Sequence, residues 1–158
     1  QALSGNAAWQ AAADGLWDRS LLDAALAVIP KKRPGKIDEV DHDAVVYLIE
    51  YRDGFRAATY MSRRYTSEFA CAGRIRGKAE PAATWMELIK PERDHFSFLT
   101  ANIEKMFVTG QAAYPVERTY LTTGILDYLM DSLFEHGKRI ETPDLAISYR
   151  PATNVYHG

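Results

Sequence analysis

The stretch YPVERTYLTTGILDYLMDSLFEHGKRIETP, residues 114–143, predicts one long helix with a defined start and a defined end. Pro115 suits the first helical turn because its missing N–H would have no helical partner there. Apolar residues then recur at every fourth position and predict a face that packs on a core: Leu121, Ile125, Leu129 and Leu133. Gly137, followed by Lys138 and Arg139, is typical of a helix end.

Gly124 stands in the middle of this helix, where glycine costs roughly 1 kcal/mol relative to alanine. We therefore expect a packing reason, with the helix backbone lying close against a sheet or another helix. A functional kink is the alternative.

Upstream of the long helix, the apolar period changes from helical to alternating at Ala44. Asp53-Gly54 is typical of a hairpin turn, because a type I′ turn needs positive φ at its central residues. The pattern predicts four consecutive strands at 44–51, 55–63, 65–76 and 82–89, and a last strand at 145–149. Short turns between strands make an antiparallel meander.

Helices are predicted at 7–14 and 20–29, before the strands, and at 94–110, after them. Asp18 or Ser20 can cap the second of these helices, and Asp94 the third. The polar stretch 30–43 between them is expected to be a surface loop. The order predicts an α+β fold: a mainly antiparallel open sheet, formed by the four-strand meander plus the last strand, with helices on one face.

The 158 residues are expected to form a single domain, with 47% hydrophobic and 25% charged residues and a net charge of −2. This charge argues against a nucleic-acid partner, and no apolar run reaches the roughly 20 residues that span a bilayer. The single Cys71 predicts a reducing, cytoplasmic location and a small core residue. The chain begins with Gln1 instead of Met, so we expect a processed or truncated product.

Motifs for chemistry are sparse: the sequence has no GxGxxG, no P-loop, no HExxH and no Cys/His metal spacing. The candidates for acid–base catalysis are His42, between Asp41 and Asp43, and His95, beside Asp94. The alternatives are ordinary turn chemistry at His42 and an exposed side chain at His95.

The candidate substrate-binding residues are Tyr114, Glu117 and Arg118 at the start of the long helix, and Trp85 in the predicted fourth strand. Arg118 can donate to an anion near the helix start, whereas a salt bridge to a neighbouring acid is the alternative. Trp85 is expected to line a pocket between the sheet and the long helix.

Two segments resemble a known family. FLTANIEKMFVTG, residues 98–110, has the spacing of Phe, Ile and Phe–x–x–Gly seen in a helix near the end of the glucose-fructose oxidoreductase/inositol dehydrogenase (Gfo/Idh/MocA-like) proteins. Residues 114–142 resemble their closing segment, with a Pro and an acid at the helix start, Ser132 near its end and a Gly-Lys-Arg exit. The order of the preceding strands is similar to that family's C-terminal sheet.

The resemblance implies the C-terminal domain of a longer, two-domain, nicotinamide-dependent oxidoreductase-like protein that acts on a sugar or polyol-like substrate. It implies oligomer contacts through the sheet and an N-terminal nucleotide-binding domain as partner. That domain's glycine-rich loop and Glu-Lys-Pro motif have no match here. NAD or NADP is therefore implied for the parent protein and not for this chain. The chain alone is not expected to be catalytic. The family's Asp–x–x–His pair also has no match, because Asp94 and His95 are adjacent.

Two other interpretations stay open from the sequence. The chain can be a stand-alone α+β module that binds a small molecule or a protein without catalysis. It can also be a small hydrolase or isomerase that uses His42 or His95.

Overall fold

The computed structural model describes residues 1–87 and 94–150, with only the backbone of Asp94 and His95. Its contacts group the chain into two compact units, which are described separately below. The first unit comprises residues 1–87 and 129–140, and the second comprises residues 88–128 and 141–158. The prediction of a single domain stays a prediction.

The described elements, in chain order, are β1 (Ala2–Ser4), α1 (Asn6–Ala13), α2 (Arg19–Val28), α3 (Ile37–Val40), β2 (Val45–Glu50), β3 (Arg56–Met61), β4 (Ala70–Gly73), β5 (Ala82–Trp85), α4 (Asp94–Thr109), α5 (Val116–Phe134) and a 3₁₀ turn (Pro143–Leu145). The α+β class is therefore confirmed. Helix α5 contributes residues up to Tyr128 to the second unit and later residues to the first.

The core of the first unit lies between α1 and one face of a three-stranded antiparallel sheet, in the order β1-β2-β3. Val46 of the central strand is fully buried and packs with Ala8 and Ala11 of α1. Trp17 closes this core and donates from its indole nitrogen to the Ala8 carbonyl at 3.0 Å. Tyr60 adds a second ring, with its centroid 6.4 Å from that of Trp17.

The predicted four-strand meander is wrong. Strands β4 and β5 pair only with each other among the described residues, in a separate two-stranded sheet that packs against α2. Strand β1, which the sequence pattern did not indicate, completes the first sheet instead. There are thus two small sheets with a helix on each, and not one open sheet with helices on one face.

The meander breaks because residues 62–69 make other hydrogen bonds. The Ser62 hydroxyl accepts from the backbone nitrogens of Tyr65 and Thr66, at 3.1 and 3.0 Å. The Tyr65 carbonyl accepts from Arg33, and the Thr66 hydroxyl donates to the Lys31 carbonyl. Backbone groups that a third strand would offer to β3 therefore bond to Ser62 and to the loop before α3, and pairing resumes at β4.

The outer edge of β1 is covered by the segment that ends α5. The buried Ser132 hydroxyl accepts from the Ala2 backbone nitrogen at 2.8 Å and donates to the Lys138 carbonyl at 2.6 Å. The Gln1 side chain donates to the Gly137 carbonyl at 2.7 Å. This coverage satisfies the outward N–H of Ala2, where an edge strand would otherwise invite another chain.

The second unit contains α4, most of α5 and the 3₁₀ turn. A Cβ atom at Gly124 would lie 2.5 Å from a methyl carbon of Leu145, so the glycine gives packing room, against this turn and not against a sheet. Tyr128 donates to Asp144 at 2.7 Å. The predicted last strand at 145–149 is wrong: Ile147 bonds back to the Leu145 carbonyl, and residues 146–150 have no regular structure.

Several predicted helix boundaries are confirmed. The Asp18 side chain caps α2 by accepting from the Ser20 nitrogen at 2.9 Å. Helix α5 ends before Gly137, whose φ is 90°. The cap predicted at Asp94 stays a prediction, since the side chain of Asp94 lies outside the described residues. The core prediction for Cys71 is wrong, because its side chain is exposed on β4. In the part of the chain that the structure describes, no helix combines the length and hydropathy needed to cross a membrane.

We expect Gly137→Ala to destabilise the first unit by about 3 kcal/mol. Its Cβ would lie 2.9 Å from a Leu3 methyl carbon and 3.2 Å from the Ala2 carbonyl oxygen, in a left-handed conformation that disfavours L residues. Gly77→Ala is the matched control: its φ is 83°, but nothing lies within 4 Å, so about 1 kcal/mol is expected. Urea unfolding measures both. Equal losses would contradict the close packing at Gly137.

Candidate functional site

The surroundings of His42 are built around a buried carboxylate, that of Asp41. Asp41 follows α3, and one of its oxygens accepts from the backbone nitrogens of Arg63 and Arg64, at 2.9 and 2.7 Å. Its other oxygen accepts from the Tyr60 hydroxyl at 2.9 Å. Asp41 therefore joins α3 to the end of β3 and is fully used in structural bonds.

The carboxylate on the other side of His42 is also engaged. Asp43 accepts two hydrogen bonds from the Arg64 guanidinium, at 3.0 and 2.9 Å, and these bonds lower the pKa of the Asp43 carboxyl. His42 itself is exposed. Both neighbouring carboxylates bond to residues other than His42. His42 is therefore an exposed side chain just before β2, and its catalytic role stays a prediction.

Trp85 lies on β5, opposite Ala70 of β4, and is half-buried. Its indole nitrogen donates to the Glu68 carboxylate at 2.9 Å. This bond fixes the ring on the two-stranded sheet of the first unit. The substrate contact of Trp85 stays a prediction.

The start of α5 brings two of the predicted binding residues together. The Arg118 guanidinium lies over the Tyr114 ring, with its central carbon 4.5 Å from the ring centroid. Such a cation–π contact orients the arginine side chain. Glu117, in the first turn of α5, is exposed. The structure thus places Tyr114, Glu117 and Arg118 on one exposed helix start of the second unit.

His95 lies in the first turn of α4, and its side chain falls outside the described residues. Among the residues that are described, no three His, Cys, Asp or Glu side chains group in a way that could hold a metal ion.

The three-stranded sheet has a second face, directed away from the core beneath α1. The register pairs Tyr47 with Thr59 and Ile49 with Ala57, so these side chains lie on the face opposite the core residue Val46. Thr59 is exposed, and the other three are half-buried. We call Tyr47, Ile49, Ala57, Thr59 and Met61 the outward sheet face; Met61 is 48% exposed, whereas Val45, opposite Met61 on the same side of the sheet, is buried.

The second unit also exposes large apolar side chains. On α4, Phe107 is 79% exposed and Val108 80%, and Val116 at the start of α5 is 75% exposed. Clustered exposed apolar residues are typical of interaction surfaces. Further apolar residues of α4 are also exposed in the described structure, namely Phe96, Leu99, Ile103 and Met106.

A cleft in the first unit was also not indicated by the sequence, because the residues that form it are distant along the chain. It has a volume of about 520 Å³ and lies between one side of α2 and residues 32–38. Its buried lining residues are Ile37 and Tyr65.

Comparison with known proteins found no matching family model, no matching curated protein and no matching solved structure.

We expect Tyr60→Phe to reduce the free energy of unfolding by about 1–2 kcal/mol at pH 7, because Asp41 loses a donor. Burial, followed by the hydrogen bond to Asp41, raises the pKa of Tyr60. Above about pH 10 the unfolded tyrosine ionises while the native one keeps its proton, so the wild type loses stability. The difference between the two proteins should therefore narrow as pH rises.

Urea unfolding of both proteins between neutral pH and pH 11 measures this narrowing. Tyr51→Phe is the control, since Tyr51 is exposed and its ring contacts Phe55, with centroids 5.6 Å apart. A difference that stays constant or widens above pH 10 would contradict the assigned role of Tyr60.

Proposed function

We propose that this chain is the substrate-side and oligomerisation domain of a nicotinamide-dependent oxidoreductase-like protein that acts on a sugar or polyol-like substrate. The nucleotide-binding domain of such a protein would be a separate N-terminal domain, with NAD or NADP as its cofactor. We place the protein in the cytoplasm.

The oxidoreductase part of this proposal is supported by the sequence resemblance of residues 98–110 and 114–142. Residues that carry the resemblance have specific packing roles: Ser132 is buried with two hydrogen bonds, and Gly137 approaches Ala2 and Leu3. Residue identity at these positions is therefore restricted by structure, as expected of a segment that is shared within a family.

The oligomerisation part is carried by one observation, the outward sheet face. A strand pair normally buries one face and solvates the other with polar side chains. Here the outward face carries Tyr47, Ile49 and Met61, with Thr59 as its exposed polar member. Tyrosine, isoleucine and methionine at half exposure suit a contact with a second copy of the chain, since aromatic residues and Met are enriched in interfaces.

A stand-alone binding module is the second candidate, and the cleft beside α2 favours it because the cleft is formed by the first unit alone. This module would bind its ligand without a second domain. Self-association and cofactor binding distinguish the two proposals.

We expect the chain to form a dimer in solution, and Thr59→Glu to weaken the dimer by roughly tenfold or more, because a charge would be buried against an apolar surface. Ala58→Glu is the matched control. Ala58 is the exposed neighbour on the same strand, and its side chain lies on the opposite face of the sheet. Sedimentation equilibrium over a range of protein concentrations measures both.

A wild-type chain that remains monomeric at about 100 μM, or equal effects of the two substitutions, would contradict association through the outward sheet face. Circular dichroism at the same concentrations shows that each variant is folded.

We expect no binding of NADH to this chain at cofactor concentrations up to about 1 mM, because the chain has no glycine-rich nucleotide loop. Quenching of protein fluorescence and energy transfer to bound NADH measure this. An intact dinucleotide-binding dehydrogenase serves as the positive control. Saturable binding of NADH with a micromolar dissociation constant would contradict the proposal that a separate domain binds the cofactor.

A further inference from the structure

The cleft beside α2 is lined by ionic groups around a small apolar floor. Its lining includes three cationic side chains, Arg19, Lys32 and Lys36, and two acidic ones, Asp23 and Asp38. Ile37 and Tyr65 are buried beneath them. A volume of about 520 Å³ is within the usual range for a small-molecule site.

Arg19 is held in a fixed orientation at this cleft. Its guanidinium carbon lies 5.0 Å from the centroid of the Trp9 ring, and its Nε donates to Asp23 at 3.0 Å. Trp9 in turn packs on Trp17 and Tyr60, with ring centroids 6.1 and 5.7 Å away. Because Nε makes the bond to Asp23, the two terminal nitrogens of Arg19 stay available, within the described chain, for a planar anion such as a carboxylate.

Lys32 lies in the facing wall and is also positioned. Its ammonium donates to the Leu26 carbonyl at 2.6 Å, and this bond brings a second cation to the α2 side of the cleft. An ammonium has three N–H donors, so within the described chain Lys32 has two more for another acceptor. Lys36, by contrast, is paired with Glu39 at 3.2 Å, and both are highly exposed. Arg19 and Lys32 are therefore the two cations that we assign to a ligand.

We propose that the cleft binds a small hydroxylated carboxylate, with Arg19 and Lys32 as the cations that line its site. Asp38 lies in the facing wall, where its carboxylate can accept hydrogen bonds from ligand hydroxyls. The apolar floor at Ile37 and Tyr65 accommodates the carbon chain. A singly charged carboxylate fits better than a phosphate, because Asp23 and Asp38 would repel a second negative charge.

This inference does not depend on the proposed function, since the cleft is formed by the first unit alone and the ligand need not be a substrate. The site was not apparent in the sequence because Arg19, Lys32 and Tyr65 are brought together only by the fold.

Titration of the ¹⁵N-labelled chain with sodium gluconate, followed by amide chemical shifts, tests the site. We expect saturable shifts at residues 19–27 and 32–38, with a dissociation constant of about 1 mM or lower. Glucose, which has the hydroxyls without the carboxylate, should bind at least roughly tenfold more weakly. Inorganic phosphate at the same ionic strength should also bind more weakly than gluconate.

Arg19→Gln and Lys32→Gln should each weaken gluconate binding by roughly tenfold. Arg33→Gln is the matched control: it removes the same charge from the same loop, but Arg33 does not line the cleft. Thermal unfolding verifies that each variant is folded. If Arg19→Gln destabilises the packing on Trp9, Lys32→Gln alone decides the test.

Three results would overturn the proposal. The first is the absence of shifts with gluconate at about 10 mM. The second is binding of phosphate or glucose as tight as that of gluconate. The third is a loss of affinity in Arg33→Gln equal to that in Lys32→Gln, which would show attraction by net charge without a specific site.

Discussion

The buried Asp41 carboxylate is the acceptor on which the arrangement of the first unit depends. It takes the backbone nitrogens of Arg63 and Arg64 and the Tyr60 hydroxyl, so it fixes the direction in which the chain leaves β3. A buried carboxylate without these donors would be strongly destabilising. The requirement to satisfy Asp41 therefore turns the chain away from a third meander strand, and Tyr60 joins this polar centre to the tryptophan core.

Short sequence signals predicted those features of the fold that depend on a few neighbouring residues. The Asp18 cap, the Asp53-Gly54 hairpin and the glycine after α5 are each defined by a few neighbouring residues, and the structure has all three. The type I′ turn expected at the hairpin is wrong, because Gly54 has positive φ and Asp53 does not. The alternation in residues 45–50 correctly gave β2. Strand β1 has only three residues, and its pairing partner is more than 40 positions away, so no pattern in the sequence could indicate it.

The functional residues were harder to predict for the same reason. His42 was selected for the carboxylates beside it in sequence, but those carboxylates bond to Tyr60 and to the Arg63–Arg64 turn. The Tyr114–Arg118 contact spans one helical turn, but the sequence pattern indicated an anion or a neighbouring acid as the partner of Arg118 and did not indicate this ring contact. The cleft at Arg19 and Lys32 joins a helix face to a distant loop, and only the three-dimensional fold reveals it.

The contact between Ala2 and Ser132 joins residues that are 130 positions apart in sequence. Closing so long a loop is slow relative to local structure formation. During synthesis, β1 can pair with β2 long before residue 132 leaves the ribosome, and until then its outer edge stays open. A nascent chain with an open edge strand is vulnerable to pairing with its neighbours. The ribosome releases Ser132 late, so the outer edge of β1 is covered only at a late step of synthesis. That covering step protects this protein against aggregation.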